Sequence, residues 1–263
     1  MSLYDELAAA LRTDLPVALA TVIEGPGEGA KLLVRAEGAP TGTLGDPDLD
    51  RVVTRDAQGE LAGGVTRVRS YGAHGEAMGE DVRVFIESFV PPPQLIIFGA
   101  VDFTAALLRV AKVLGYRVTV CDARPVFATR ARFPLADEIV VDWPNRLLEK
   151  IGPSLTPRDA ICVLTHDIKF DVPAVVGALE TDVGYLGAMG SRRTNAEREA
   201  RLREAGVDDA GLARLHAPIG LDIGARTPEE TAVSVCAEII SERNALADVR
   251  PLRATDGPIH RRA

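Results

Sequence analysis

Pro91-Pro92-Pro93 constrains the fold more than any other feature of the 263-residue chain. Three successive prolines cannot continue a helix or donate to a central strand, and they favour a stiff, extended connection. Beyond the triplet, short apolar runs alternate with helical patterns. Leu95–Phe98 reads as a buried strand, and Phe103, Leu107, Val110 and Leu114 line a helix that Gly115 stops. Further strands are expected at Arg117–Cys121, Glu138–Val141, Ala160–Leu164 and Val183–Leu186, with helical stretches around Leu147, Val175 and Arg198. This rhythm predicts an α/β domain, a Rossmann-like doubly wound parallel sheet, over 94–244. Right-handed crossovers put the strand C-termini on one edge, so Gly99, Asp122, His166 and Gly187 are expected to line a common crevice.

Residues 1–90 read as a small N-terminal α+β domain: a helix at Ser2–Arg12 and strands at Val17–Ile23, Lys31–Arg35 and Asp81–Phe89. Gly38–Asp50 is a polar glycine–proline segment in which Asp46 caps a short helix begun by Pro47. Asp46, Asp48 and Asp50 alternate as cation ligands would. They lack the glycine and distal glutamate of an EF-hand, which favours solvated carboxylates. Residues 245–263 read as a charged, proline-containing tail.

Two loops suit an anion. In Leu215–Glu238, Thr227 is an N-cap, Pro228 sits at N1, and Glu230 at N3 completes a capping box. Ala232, Val233, Val235, Cys236, Ile239 and Ile240 follow on one helical face. Gly220 and Gly224 permit close backbone approach just before that helix N-terminus. Upstream, Gly187 and Gly190 precede Ser191, Arg192 and Arg193, and arginine suits bidentate phosphate or carboxylate binding. A tight loop and a core helix explain each segment alone; two such loops on one scaffold point to a phosphorylated or carboxylated ligand.

A dinucleotide-like unit starts at Leu95. Asp122 stands roughly 20 residues past the turn, where an acid holds a ribose hydroxyl. Yet Gly99-Ala100-Val101-Asp102-Phe103-Thr104 keeps only the first glycine of G-x-G-x-x-G. Val101 brings a branched side chain to the phosphate path and Asp102 a like charge, which weakens NAD(P) binding. Arg124 either offsets Asp102, engages a 2′-phosphate, or is a solvated loop residue.

Other chemistry is sparse. Cys121, Cys162 and Cys236 lie far apart in apolar runs, and His74, His166, His216 and His260 are scattered, which argues against a metal site and for buried thiols in a reducing cytoplasm. His166 ends a strand, where it either meets a ligand or caps the sheet; His216 either contacts a ligand or orders its loop. No nucleophile–base arrangement emerges, so no catalytic residue is assigned. The net charge of −8 argues against nucleic acid and anionic membranes, and no apolar run reaches membrane-spanning length.

Gly190-Ser191-Arg192-Arg193 and His216–Glu230, HAPIGLDIGARTPEE, resemble the signature segments of the XdhC/CoxI family, and the similarity runs from about Gln94 to Arg243. The resemblance implies a non-catalytic maturation factor. Such a protein binds molybdenum cofactor (molybdopterin) and assists its sulfuration and insertion into a xanthine dehydrogenase-type molybdenum hydroxylase. The implied partners are that apo-enzyme, a cysteine desulfurase-like sulfur donor and a second copy of the chain as a homodimer. The expected cofactor-binding residues are Gly99, Ala100, Asp122, Arg124, His166, Gly187, Gly190, Ser191, Arg192, Arg193, Gly220 and Gly224. The alternatives are an NAD(P)-binding oxidoreductase and a nucleotide sensor using the same crevice. The chain departs from family habit twice: relatives tend to show a Gly-x-Gly-His-like turn at Gly99, and a cysteine after the segment matching Gly42–Gly45. It has neither the iron–sulfur cysteine motifs nor the length of a xanthine dehydrogenase, so that activity is not expected of it alone.

Overall fold

The computed structural model describes residues 2–77, 79–165, 167–246, 248–257 and 259. The fold forms two compact units, Met1–Pro92 and Pro93–Ala263.

In the first unit, helix α1 (Leu3–Arg12) begins at a Ser2–Asp5 capping box. An antiparallel sheet follows, made of β1 (Val17–Glu24), β2 (Lys31–Arg35), β3 (Thr41–Thr43), β4 (Arg67–Tyr71) and β5 (Val82–Phe89) in the order β3-β2-β1-β5-β4. Helix α2 (Pro47–Gly63) buries Leu49, Val53, Ala57 and Leu61 against its face. The helix expected to be short has 17 residues, and β3 and β4 add two strands to those expected. Each of the two carries too few apolar residues to read alone; β4 alternates buried Tyr71 with exposed Val68. The aspartates at 46, 48 and 50 serve the chain itself. Asp46 caps α2 and accepts from His74 Nδ1 at 2.7 Å, Asp48 pairs with Arg51, and Asp50 accepts from Leu44 N.

The second unit is a six-stranded parallel sheet. Its strands are β6 (Gln94–Phe98), β7 (Arg117–Cys121), β8 (Glu138–Val140), β9 (Ala160–Val163), β10 (Tyr185–Ala188) and β11 (Leu215–His216), in the order β11-β10-β9-β6-β7-β8. Numbered from β6, this is the doubly wound order 3-2-1-4-5-6, with its topological switch between β6 and β9. Helices α3 (Asp102–Val113) and α8 (Pro228–Arg243) share one core with a sheet face. Helices α4 (Pro144–Ile151), α5 (Ile168–Leu179) and α6 (Arg192–Glu204) share the other, and the short α7 (Asp209–Ala213) precedes β11. The central strands are apolar almost throughout because both faces are covered. No helix among the described residues is long and apolar enough to cross a membrane.

Two expectations shift. β10 runs two residues later than its apolar run suggests, so Gly187 lies inside the strand, opposite Cys162 and His216. There a Cβ would stand 2.5 Å from Ile219, so the glycine admits the following loop. Leu215–His216 is a sixth strand, too short to show a period.

Candidate functional site

The C-terminal edge of the parallel sheet carries most of the singled-out residues. At its centre is the turn after β6. Gly99 has φ +113°, and a Cβ there would lie 2.8 Å from Thr165 N, so only glycine lets the turn pass the end of β9. Ala100 N donates to Asp122 Oδ2 at 2.9 Å across the buried end of β7. Arg124 donates to Oδ1 from its backbone N and its Nε, both at 2.9 Å, and to Oδ2 from Nη2 at 2.8 Å.

Asp122 therefore accepts four hydrogen bonds, the capacity of an ionised carboxylate, and all come from this edge of the chain itself. Burial alone would raise its pKa. The Arg124 guanidinium and the two backbone donors outweigh burial, and the pKa falls below the ordinary aspartate value. Arg124 serves Asp122, not Asp102. Asp102 is met instead by Arg132 at 3.3 Å, which also donates to Ala100 O. Val101 is the N-cap of α3 and provides no side-chain acceptor; its own N–H goes to Thr104 Oγ1.

Further along the edge, Met189 N donates to Val163 O, which sets the loop after β10 beside the end of β9. Ser191 caps α6 by accepting from Thr194 N at 3.1 Å. The first turn of α6 holds no acidic residue. Arg193, 90% exposed, pairs with Glu197 one turn on. Arg192 is exposed and has no ion pair or side-chain hydrogen bond among the described residues. It borders a groove of about 330 Å³ with Asn195, Leu215 and Pro218. Among the described residues neither Glu197, which pairs with Arg193, nor Asp222 pairs with Arg192. Beneath the loop lies a residue that sequence reasoning missed. Arg198 is 3% exposed, pairs with Asp171 at 3.0 Å, and donates to Met189 O and to Asn195. Its one sequence signal is Leu202, one turn later on the same buried face.

The segment from His216 to Glu230 departs from an open anion cradle. Gly220 N donates to Glu238 Oε2 at 2.7 Å, and the Tyr185 hydroxyl donates to the same oxygen. Burial holds the Tyr185 pKa far above its ordinary value, so it remains the donor. His216 stacks on Tyr185, with ring centroids 4.8 Å apart. The close approach that Gly220 permits is to α8 itself, where a Cβ would meet Ser234 Oγ at 2.6 Å. Thr227 and Glu230 form the expected capping box of α8, and Glu230 Oε2 accepts from the N–H groups of Arg226 and Thr227. The anion at this helix N-terminus is the chain's own glutamate. Gly224, at φ +75°, has open space around it. His166 lies outside the described residues.

Comparison with known proteins agrees with this architecture. A model described as XdhC Rossmann domain matches residues 95–239, and one described as XdhC and CoxI family matches residues 10–72. A protein of Bacillus subtilis named as a probable xanthine dehydrogenase component is 35% identical over 65% of this chain and 49% of its own length. From Escherichia coli, the molybdenum cofactor insertion chaperone PaoD is 28% identical over 63% of this chain and 45% of its own, and the uncharacterized protein YqeB 29% over 93% and 47%. The chain thus spans about half the length of the curated relatives it matches. The crystal structure of a xanthine dehydrogenase from Bacillus halodurans aligns over 97% of this chain and 98% of its own, with a TM-score of 0.52 and 24% identity, a likeness of fold. With both of its units matched, the second over most of its length, the chain belongs to the XdhC and CoxI family.

Proposed function

We propose that the chain is an accessory factor that binds molybdenum cofactor and assists its sulfuration and insertion into a xanthine dehydrogenase-type molybdenum hydroxylase. Family membership supplies the class of ligand. The single structural observation that carries the reading is the contrast along the sheet edge. Donors at Ala100, Gly220 and the start of α8 are met by Asp122, Glu238 and Glu230, whereas Arg192 has no partner among the described residues and stands at an acid-free helix start. An anion gains most where the chain supplies none of its own. In this reading Gly190, Ser191 and Arg192 receive the cofactor's phosphate, with Arg193 adding long-range attraction. The bound group supplies the molybdenum and dithiolene chemistry that the client enzyme later uses, and the chain supplies binding and orientation. The partners are the apo-hydroxylase and a cysteine desulfurase-like sulfur donor.

NAD(P) does not fit the described residues. The acid that would hold a ribose is saturated, and Val101 and Asp102 stand where a glycine turn would receive pyrophosphate. The test is retention by the full chain in gel filtration after incubation with isolated molybdenum cofactor, NADH or NADPH. Co-elution of pterin and molybdenum, but of neither nucleotide, is expected. Co-elution of NADH without pterin overturns the reading.

A further inference from the structure

Beyond the ends of β7, β8 and β9 lies a row of planar groups that the phosphate site does not use. The Arg124 guanidinium lies 4.5 Å from the ring centre of Phe127 and 6.0 Å from that of Phe170. Phe170 in turn meets Trp143, with centroids 4.7 Å apart and planes tilted by 44°. Arg132 lies 5.7 Å from the Phe127 ring centre. Phe127 is 39% exposed and Trp143 40%, while neighbouring rings such as Phe133 are buried.

Trp143 is also out of place as a helix former. It is the N-cap of α4, a position that favours short side chains with an acceptor oxygen, and it makes no side-chain cap bond. Phe170 occupies the first turn of α5. Both rings come from loops that enter helices at the C-terminal edge of the sheet, where ligands of doubly wound folds bind. Asp122 pins Arg124 through two side-chain bonds and balances its charge. The guanidinium therefore presents a fixed planar face at low electrostatic cost.

We propose that the Phe127–Arg124–Phe170–Trp143 row is a stacking site for a planar nitrogen heterocycle. Resting on the function proposed above, the heterocycle is the pterin ring of the cofactor. A purine has the same stacking chemistry, and the test must separate the two. Stacking needs exposed aromatic faces and a neighbouring cation more than hydrogen-bond donors, which matches what the row offers.

Trp143 is the only tryptophan in the chain, so its emission reports on the row alone. The full chain is titrated with 6-hydroxymethylpterin and, separately, with AMP. Emission is followed alongside equilibrium dialysis, on wild type, Trp143→Leu, Trp143→Phe, Phe170→Leu and the off-row control Val233→Ser. Saturable pterin binding with coincident quenching is expected. Trp143→Leu and Phe170→Leu weaken dialysis affinity roughly five-fold or more, Trp143→Phe restores part of it, and Val233→Ser changes nothing. Tighter, row-dependent binding of AMP keeps the stacking site and overturns its assignment to pterin. Equal pterin affinity in all five proteins, or no binding of either probe, overturns the site itself. Retention of whole cofactor by Trp143→Leu and Phe170→Leu at wild-type affinity sinks this inference and leaves the proposed function standing. Row-dependent pterin binding without retention of whole cofactor does the reverse.

Discussion

Two arginines six residues apart on α6 do opposite work. Arg192 is exposed and has no partner among the described residues; Arg198 is buried and bonded to Asp171, Met189 O and Asn195. Replacing Arg192 with alanine removes no described partner from the folded chain, so melting should hold. Cofactor affinity should fall by about 1.5–3 kcal/mol, the range for a hydrogen bond to a charged group. Replacing Arg198 with alanine removes the ion-pair partner of a buried carboxylate and frees the loop before Gly190. It should cost about 3–5 kcal/mol of stability. Measuring melting and cofactor affinity on both variants separates the roles, and an Arg192→Ala protein that melts early with unchanged affinity defeats the phosphate assignment. Arg192 is conspicuous in the sequence because it closely follows a glycine and opens a helix. Arg198 is illegible there because α6 is polar almost throughout, and burial of a charge depends on a partner 27 residues away.

At the scale of elements, chemistry that acts within four residues is readable and chemistry across the fold is not. The Thr227–Glu230 box and the Asp46 cap are local, and each stands where the sequence puts it. Ser2, read as the first residue of its helix, and Ser191, read as a ligand contact, are caps as well. The apolar face of α8 is narrower than its spacing suggests. Ala232, Val235, Cys236 and Ile239 are buried, but Val233 is 51% exposed and Ile240 36%. Ser234, on the opposite flank, is buried because the Gly220 loop lies against it and Leu221 O accepts its hydroxyl. In sequence the glycines of this segment all look like openings for a ligand, and the structure divides them. Gly220→Ala drives a methyl to 2.6 Å from Ser234 Oγ while keeping φ at +95°, so overpacking adds to backbone strain. A loss of about 2–4 kcal/mol is expected from these two costs. Gly224→Ala meets nothing within 4 Å and should lose only the backbone part, about 1–2 kcal/mol. Denaturant unfolding of the two variants checks the ranking; equal losses would mean that Ser234 yields freely.

Across the whole parallel sheet, the strand order is that of a doubly wound fold, while the turn after β6 departs from the glycine fingerprint and Asp122 is occupied by the chain's own donors. The alternation of apolar runs predicts a doubly wound parallel sheet, but neither its strand order nor its sixth strand. The saturation of Asp122 is not predictable either, because an acid at this position looks the same in sequence whether it faces a ribose or its own turn. The pairing has a pH signature. The folded pKa of Asp122 is depressed, so its contribution is present above the ordinary aspartate range and fades as pH falls through the folded value. The melting gap between wild type and Asp122→Asn should be widest near neutrality and close below about pH 4. The same saturation decides how nucleotide binding could be gained. Val101→Gly with Asp102→Asn restores the second glycine of the turn and removes its charge but leaves every acceptor site of Asp122 filled. Adding Arg124→Ala removes two of the four donors and opens the carboxylate toward a ribose diol. Only the triple variant should bind NADH, and it should discriminate against NADPH, whose 2′-phosphate meets the freed charge. Calorimetric titration of wild type, double and triple variants reads this directly. NADH binding by the double variant as tight as by the triple would show that the turn, and not the occupied acid, is what keeps the dinucleotide out.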